Sequence, residues 1–179
     1  MNIGLGYDLH RLVRGRPLFL GGVEIPFGKG LLGHSDGDAL VHALIDALLG
    51  AAGEGDIGRL FPDTDPAYRG VRSVELLRKV MARLRRKKLR VVNADLVVVA
   101  EAPKLGPYFE AMKKTLGPIL GVPGRALGLK AKTNEGTGLV GRGGAVACLA
   151  VALLEKEKGD GSIFSSPKAS RPKISARKK

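Results

Sequence analysis

What the sequence lacks narrows it first. There is one cysteine, Cys148, in 179 residues, so the chain has neither an internal disulfide nor a cysteine-rich zinc site. A lone thiol suits a reducing compartment. Tryptophan is absent, and the five Phe and three Tyr are not interleaved with the basic runs. A stacking platform for single-stranded nucleic acid is therefore not expected. The longest uninterrupted apolar run, Ala145 to Leu154, falls far short of the ~20 residues that cross a bilayer, so no membrane partner is expected. The polar Asp8, His10 and Arg11 arrive too early for a secretory leader, and a cytoplasmic location is expected.

Carboxylates are the other scarcity: 17 Asp+Glu against 30 Lys+Arg leave a net charge of +13. From Gly159 onward, six basic residues and one acid account for +5 of it. Such a balance suits nucleic acid, anionic membrane or phosphorylated substrates. With 44% hydrophobic and 26% charged residues the chain is globular. Its length suffices for one domain that buries roughly 70% of its unfolded surface. The mix of Ser, Pro, Lys and Gly after Lys158 cannot bury a core. The expected organisation is one domain over 1–158 and a basic, disordered tail over 159–179.

Met1 to His10 reads as a strand with Ile3, Leu5 and Tyr7 on one face and Gly4, Gly6, Asp8 and His10 on the other. Leu18 to Ile25, with Gly21-Gly22 at its centre, reads as a hairpin or bulged strand. Gly28 to Gly33 is expected to be a loop. Ser35-Asp-Gly-Asp38 then opens a helix to about Ala52, with Ser35 as its cap and Asp38 completing a capping box. Gly53 to Gly70 reads as a long loop. A second helix starts at Ser73 and ends in Arg85-Arg86-Lys87-Lys88, favourable at the negative end of its dipole. Val91 to Ala100 is a strand, Pro107 to Leu120 a helix, Ala126 to Lys132 a strand, Asn134 to Gly144 a Gly-rich loop, and Ala145 to Leu154 a buried strand.

All three histidines, His10, His34 and His42, lie in the first quarter of the chain. Asp8 and His10, two apart on a strand, leave the same face. His42 follows on the next helix, and Asp46 one turn later could orient it. An Asp-His-His set with a fourth position open is the form of a catalytic zinc site. Taken singly, these residues more often mark an ordinary strand edge or a satisfied core histidine. His34 and Ser35 sit where the helix is expected to begin, and free N–H groups at a helix start bind anions.

Several of these motifs resemble, in collinear order from Met1 to about Leu154, the 2-C-methyl-D-erythritol 2,4-cyclodiphosphate synthase family. They are Gly-Tyr-Asp8-Leu-His10, His34-Ser-Asp-Gly-Asp38 with His42, Asp56-Ile-Gly58, Phe61-Pro-Asp-Thr-Asp65, Ala102-Pro-Lys104 and Gly141-Arg142-Gly143. The resemblance implies a compact α/β (α+β) domain, a mostly four-stranded sheet with helices on one side. It also implies a homotrimer with an active site at each subunit interface. The implied activity is that of a phosphorus–oxygen lyase of the non-mevalonate isoprenoid route. The 2-phosphate of 4-diphosphocytidyl-2-C-methyl-D-erythritol 2-phosphate attacks the β-phosphorus, CMP leaves, and a cyclic diphosphate forms.

The resemblance also implies the site. Asp8, His10 and His42 hold zinc (Zn2+); Asp8 and His10, with His34 and Ser35, also face the substrate; His34 and Thr133 are transition-state stabilisers. Asp56, Ile57 and Gly58 face the methylerythritol, and Phe61, Pro62, Asp63, Thr64 and Asp65 flank that pocket. Ala100, Glu101, Ala102, Pro103, Lys104, Leu105 and Gly106 surround the cytidine and its phosphates. Lys132, Thr133, Asn134, Glu135, Leu139 and Arg142 complete the set, with Glu135 holding a magnesium or manganese ion (Mg2+ or Mn2+) at the diphosphate. Phosphoryl transfer between two anions asks for positioning and charge neutralisation, so no Ser-His-Asp triad is expected.

The match has departures. Lys132 stands where Thr is common, Leu139 where Phe is common, and Gly144 where Glu is common. In the family the last two positions line the trimer's central channel, which can hold an isoprenoid diphosphate; the lost ring and carboxylate count against that ligand here. Two other readings compete. A nucleic-acid or anionic-surface binder would use Arg78 to Arg90 and the tail, and its binding would fall steeply with salt. A zinc hydrolase would need a metal-bound water and a general base. A catalytically altered homologue is the remaining alternative.

Overall fold

The computed structural model describes residues 1–157, so the expected tail over 159–179 and its boundary lie outside the described residues. In chain order the elements are β1 (Asn2–Val13), β2 (Leu18–Leu20), β3 (Val23–Ile25), β4 (Gly30–Leu31), α1 (Ala39–Ala52), α2 (Ile57–Leu60), α3 (Ser73–Arg86), β5 (Leu89–Val99), α4 (Phe109–Leu120), β6 (Leu127–Lys132), α5 (Gly138–Gly141) and β7 (Ala145–Lys156). The main sheet has the order β4-β1-β7-β5-β6. All its neighbours are antiparallel except β5 and β6. The long strands β1, β7, β5 and β6 carry it, and two-residue β4 is a fifth at the edge.

The alternation expected of the first strand holds. Gly4 and Gly6 are buried beneath α1, while Ile3, Leu5 and Tyr7 are exposed on the other face. The two glycines are a geometric necessity. A Cβ on Gly4 would lie 2.0 Å from the Ala47 carbonyl oxygen, and one on Gly6 would lie 1.9 Å from that of Ala43. No larger residue lets helix backbone ride directly on strand backbone in this way. The apolar α1, buried on nearly every side, lies against β1 and β7, and α3 covers it with Leu76, Leu77, Val80, Met81 and Leu84.

Gly21 and Gly22 form the two-residue turn between β2 and β3, both at positive φ (59° and 77°), as a turn matching strand twist requires. Both turn N–H groups donate to the buried Asp38 carboxylate, which also accepts from Val41 N–H. Asp38, not Ser35, therefore caps α1, and the helix begins at Ala39. The expected capping box does not form, because Asp38 serves the hairpin and the helix at once. Burial first, then the charge of Asp36, push the Asp38 carboxyl above its ordinary range.

Three expected loops contain short elements. β4 interrupts Gly28 to Gly33 by pairing with Leu12 and Val13. Gly53 to Gly70 holds α2, capped by Asp56, and a 3-10 turn at Pro66–Tyr68 capped by Asp65. Asn134 to Gly144 holds α5. Each is a few residues long and depends on tertiary neighbours or caps rather than on a periodic apolar pattern. Conversely, the first residues of the expected helix Pro107 to Leu120 form a 3-10 turn before α4 begins at Phe109.

Candidate active site

Asp8, His10 and His42 converge. Asp8 Oδ2 lies 2.8 Å from His10 Nε2 and 2.9 Å from His42 Nδ1, and the two nitrogens are 3.2 Å apart. A tetrahedral zinc with bonds of ~2.0–2.1 Å would hold such atoms ~3.3 Å apart, so this triangle is close to one face of its coordination shell. The remaining donor atoms are engaged elsewhere. Asp8 Oδ1 accepts from Leu9 N–H, and His10 Nδ1 is bonded to the Leu32 carbonyl. His42 turns Nε2 toward the hydroxyls of Ser73 (2.8 Å) and Ser35 (3.1 Å). One carboxylate and two imidazoles, each oriented by a further partner, suit a divalent ion such as zinc.

The local electrostatics follow from this convergence. Burial pushes the Asp8 carboxyl up, but the hydrogen bonds and charges of His10 and His42 together outweigh it and hold the group well below the usual carboxylate range. For His10, burial pulls the imidazole down, while the hydrogen bond and charge of Asp8 prevail and raise it above its ordinary value. Among the described residues this is the one set of three His, Cys, Asp or Glu whose ligand atoms all lie within 4.8 Å of one another. Glu135 belongs to no such set.

The triad lies in a cavity of about 430 Å³. Of the expected residues, His34, Ser35, Ile57, Gly58, Phe61, Pro62 and Asp63 line it too. Asp56 and Asp65 do not; their carboxylates cap α2 and the following 3-10 turn. Thr64 is not among the lining residues either. Asp46 lines the cavity, but instead of orienting His42 it accepts from Ile57 N–H at 2.7 Å and so anchors α2. Tyr68 and Leu76 also line it, with Tyr68 edge-on to Phe61 at 5.3 Å. Sequence reasoning missed both, since neither sits in a motif. The expected anion site at a helix start is displaced: Ser35 lies four residues ahead of α1, and Asp38 already accepts from the helix's Val41 N–H.

A second cavity, about 330 Å³, is lined by Ala100, Glu101, Pro103, Lys104, Leu105, Gly106, Lys132 and Thr133, together with the unexpected Phe109 and Ala131. Ala102, Asn134 and Glu135 lie outside its lining, although Asn134 N–H donates to Glu101 Oε1 at 2.8 Å and the Thr133 hydroxyl donates to Glu135. Leu139 and Arg142 belong to neither cavity. The two cavities share no lining residue. Asp8 pairs with Cys148, Cys148 with Val98, and Val98 with Ala131, so three strand spacings of ~4.8 Å, ~14 Å in all, separate them across one end of the sheet.

The chain is similar to known proteins over most of its length. Residues 1–155 match the model of the YgbB family. The chain is 58% identical over 154 residues to the 2-C-methyl-D-erythritol 2,4-cyclodiphosphate synthase of Symbiobacterium thermophilum, covering 86% of this chain and 98% of that protein. It is 56% identical over 156 residues to the protein of the same name from Pelotomaculum thermopropionicum, covering 87% and 96%. A solved 2C-methyl-D-erythritol-2,4-cyclodiphosphate synthase in its CDP-bound form matches with a TM-score of 0.79 and 47% identity, covering 86% of this chain and 99% of that chain.

Proposed function

The chain belongs to the YgbB family, and from that premise we propose that it closes the ring of 2-C-methyl-D-erythritol 2,4-cyclodiphosphate. The substrate is 4-diphosphocytidyl-2-C-methyl-D-erythritol 2-phosphate and CMP is released, a step in isoprenoid precursor synthesis. The observation that carries this reading is the meeting of Asp8 Oδ2, His10 Nε2 and His42 Nδ1 inside the cavity that also holds His34 and Ser35.

Asp8, His10 and His42 would hold a divalent ion, assigned here as zinc, and Glu135 a magnesium or manganese ion; bound there, the ions would supply neutralisation of the phosphate charge. The protein's own side chains do the rest. His34, exposed at the cavity mouth, and the Ser35 hydroxyl receive the phosphates. Phe61, Pro62 and Ile57 exclude water around the methylerythritol, with Gly58, Asp56 and Asp63 to Asp65 at its rim. Lys104, Lys132 and Thr133 hold the nucleotide phosphates, while the backbone from Ala100 to Gly106 surrounds the cytidine. Holding one folded substrate conformer in this way is worth an effective molarity of ~10⁵ M or more, and the attacking phosphate needs no general base.

A homotrimer would complete the same scheme. The sheet face turned away from the helices exposes Ile3 (71%), Leu5 (67%), Tyr7 (56%), Leu9 (40%) and Val151 (36%). A contiguous apolar stripe of this kind is uncommon on a monomer. Covered by two further copies in a homotrimer, it would let one chain's triad face its neighbour's nucleotide cavity and so bridge the ~14 Å gap. Leu139 and Gly144 offer neither aromatic ring nor carboxylate, and no isoprenoid diphosphate is assigned to the channel. The reading includes a small-molecule substrate and a cytoplasmic location; no helix among the described residues is long and apolar enough to cross a membrane.

The test is metal analysis together with CMP release. The purified protein should carry about one zinc per chain and release CMP from the substrate, and a chelator should stop it. His42→Ala should lose both metal and turnover. A His42→Ala protein with full zinc and normal turnover overturns the proposal.

A further inference from the structure

Behind His42 lies a chain of hydrogen bonds that the reaction scheme does not use. Ser73, fully buried at the start of α3, has its Oγ 2.8 Å from His42 Nε2 and 2.5 Å from Asp36 Oδ1. Asp36, itself buried, has both oxygens engaged. Oδ1 also accepts from Asp38 N–H (3.2 Å), while Oδ2 accepts from Ser73 N–H and from Arg72 Nε, each at 3.1 Å. Arg72 reaches on to the Gly22 carbonyl (3.0 Å), and its guanidinium lies 4.2 Å from the centre of the Phe19 ring.

The proton positions in this chain follow from what each group can do. A carboxylate only accepts, so the single hydroxyl proton of Ser73 goes to Asp36. Ser73 Oγ is then left with lone pairs alone, and it can meet His42 Nε2 only if that nitrogen carries the proton. With Nε2–H committed to Ser73, a neutral His42 presents its lone pair at Nδ1, the atom that faces Asp8 and His10. With the roles reversed, a proton on Nδ1 would occupy the place of the ion. We propose that Ser73, held by Asp36, is a positioning residue that fixes the tautomer and ring orientation of His42 for metal capture. The inference rests on the metal site proposed above, but it concerns residues that touch neither metal nor substrate. Partners of this kind typically change metal affinity by about 10–100-fold when removed.

Two measurements test it. The first is zinc affinity by competition with a chromophoric chelator, for the parent protein, Ser73→Ala and Asp36→Asn, with circular dichroism to establish that each is folded. Both variants should bind zinc about 10–100-fold more weakly. The second is the ¹⁵N spectrum of His42 in the metal-free proteins, which needs no metal at all. The parent should show a fully protonated Nε2, whatever Nδ1 shares with Asp8, and Ser73→Ala a partly bare Nε2. Asp36→Asn keeps the hydroxyl but replaces a group that can only accept by an amide that can also donate, and it carries the test if Ser73→Ala does not fold. A folded variant with parental zinc affinity and an unchanged tautomer overturns the inference and leaves Ser35, at 3.1 Å, as sufficient partner. A parent protein that binds no zinc but shows the expected tautomers would instead strike at the metal site itself.

Discussion

Around Asp8, His10 and His42 almost every polar atom has a partner within the same chain, and α1, α3 and β1 hold the three side chains from separate directions. Around Lys132, Thr133 and Glu135 the side chains stand exposed, and the loop is tied down chiefly by Glu101, which accepts from Asn134 N–H. The metal end of the proposed site is thus finished by one fold, and the nucleotide end is an open half. The contrast teaches where rigidity is needed. Three ligand atoms must hold fixed positions before any ion arrives, whereas phosphates and cytidine can be gripped by groups that, in the proposed trimer, a neighbouring chain would help to arrange.

The sharpest way to break the comparison is complementation. His42→Ala, with a ruined metal end, and Glu135→Ala, with a ruined nucleotide end, should each be inactive alone. Mixed one to one through dissociation and reassembly, they should recover about a quarter of parental CMP release, because a random trimer site combines an intact metal end with an intact nucleotide end one time in four. No recovery would place both halves in one chain. Next in size is Gly6→Ala. Its methyl group would press on the Ala43 carbonyl and push α1 away, costing ~3 kcal/mol or more in denaturant unfolding. Zinc content should fall with stability, since His42 rides on that helix. Smaller still is Lys132→Thr, which removes one exposed cation from the nucleotide cavity. It should weaken CDP binding by ~1 kcal/mol at low salt and less at high salt, as calorimetry at two ionic strengths would show. The least effect is expected from ending the chain at Lys158, which should leave both ends of the site, and CMP release, unchanged.

Much of the metal end was legible beforehand, for a physical reason. Strand alternation alone puts Asp8 and His10 on one face, and one helix follows with its single histidine. What could not be read was which partners those residues recruit. The spacing of Ser35 and Asp38 suggests a capping box, but Asp38 is drawn to the Gly21-Gly22 turn, a contact across 16 and 17 residues that only the folded hairpin creates. Asp46 sits one helical turn from His42, yet the N–H of Ile57 claims it. Tyr68, Leu76 and Phe109 enter the cavities because loops and helices fold over them, and no local pattern marks such residues. Ser73 reads as an ordinary helix start, and its bond to His42 spans 31 residues. The glycines at positions 4 and 6 were visible as residues, but their meaning depends on how near α1 comes.

The two faces of β1 are committed to opposite tasks in strict alternation, glycines and ligands inward, bulky apolar groups outward. One residue inserted between Gly6 and Asp8 would swing the carboxylate and imidazole to the outer surface. Two would restore their direction but carry them ~7 Å along the strand, out of reach of His42. The count of residues in this stretch is therefore as hard a constraint as the identity of Gly4, Gly6, Asp8 and His10. Descendants of this chain can exchange Ile3 or Leu5 for other greasy side chains, but they cannot lengthen or shorten the path between Gly6 and Asp8.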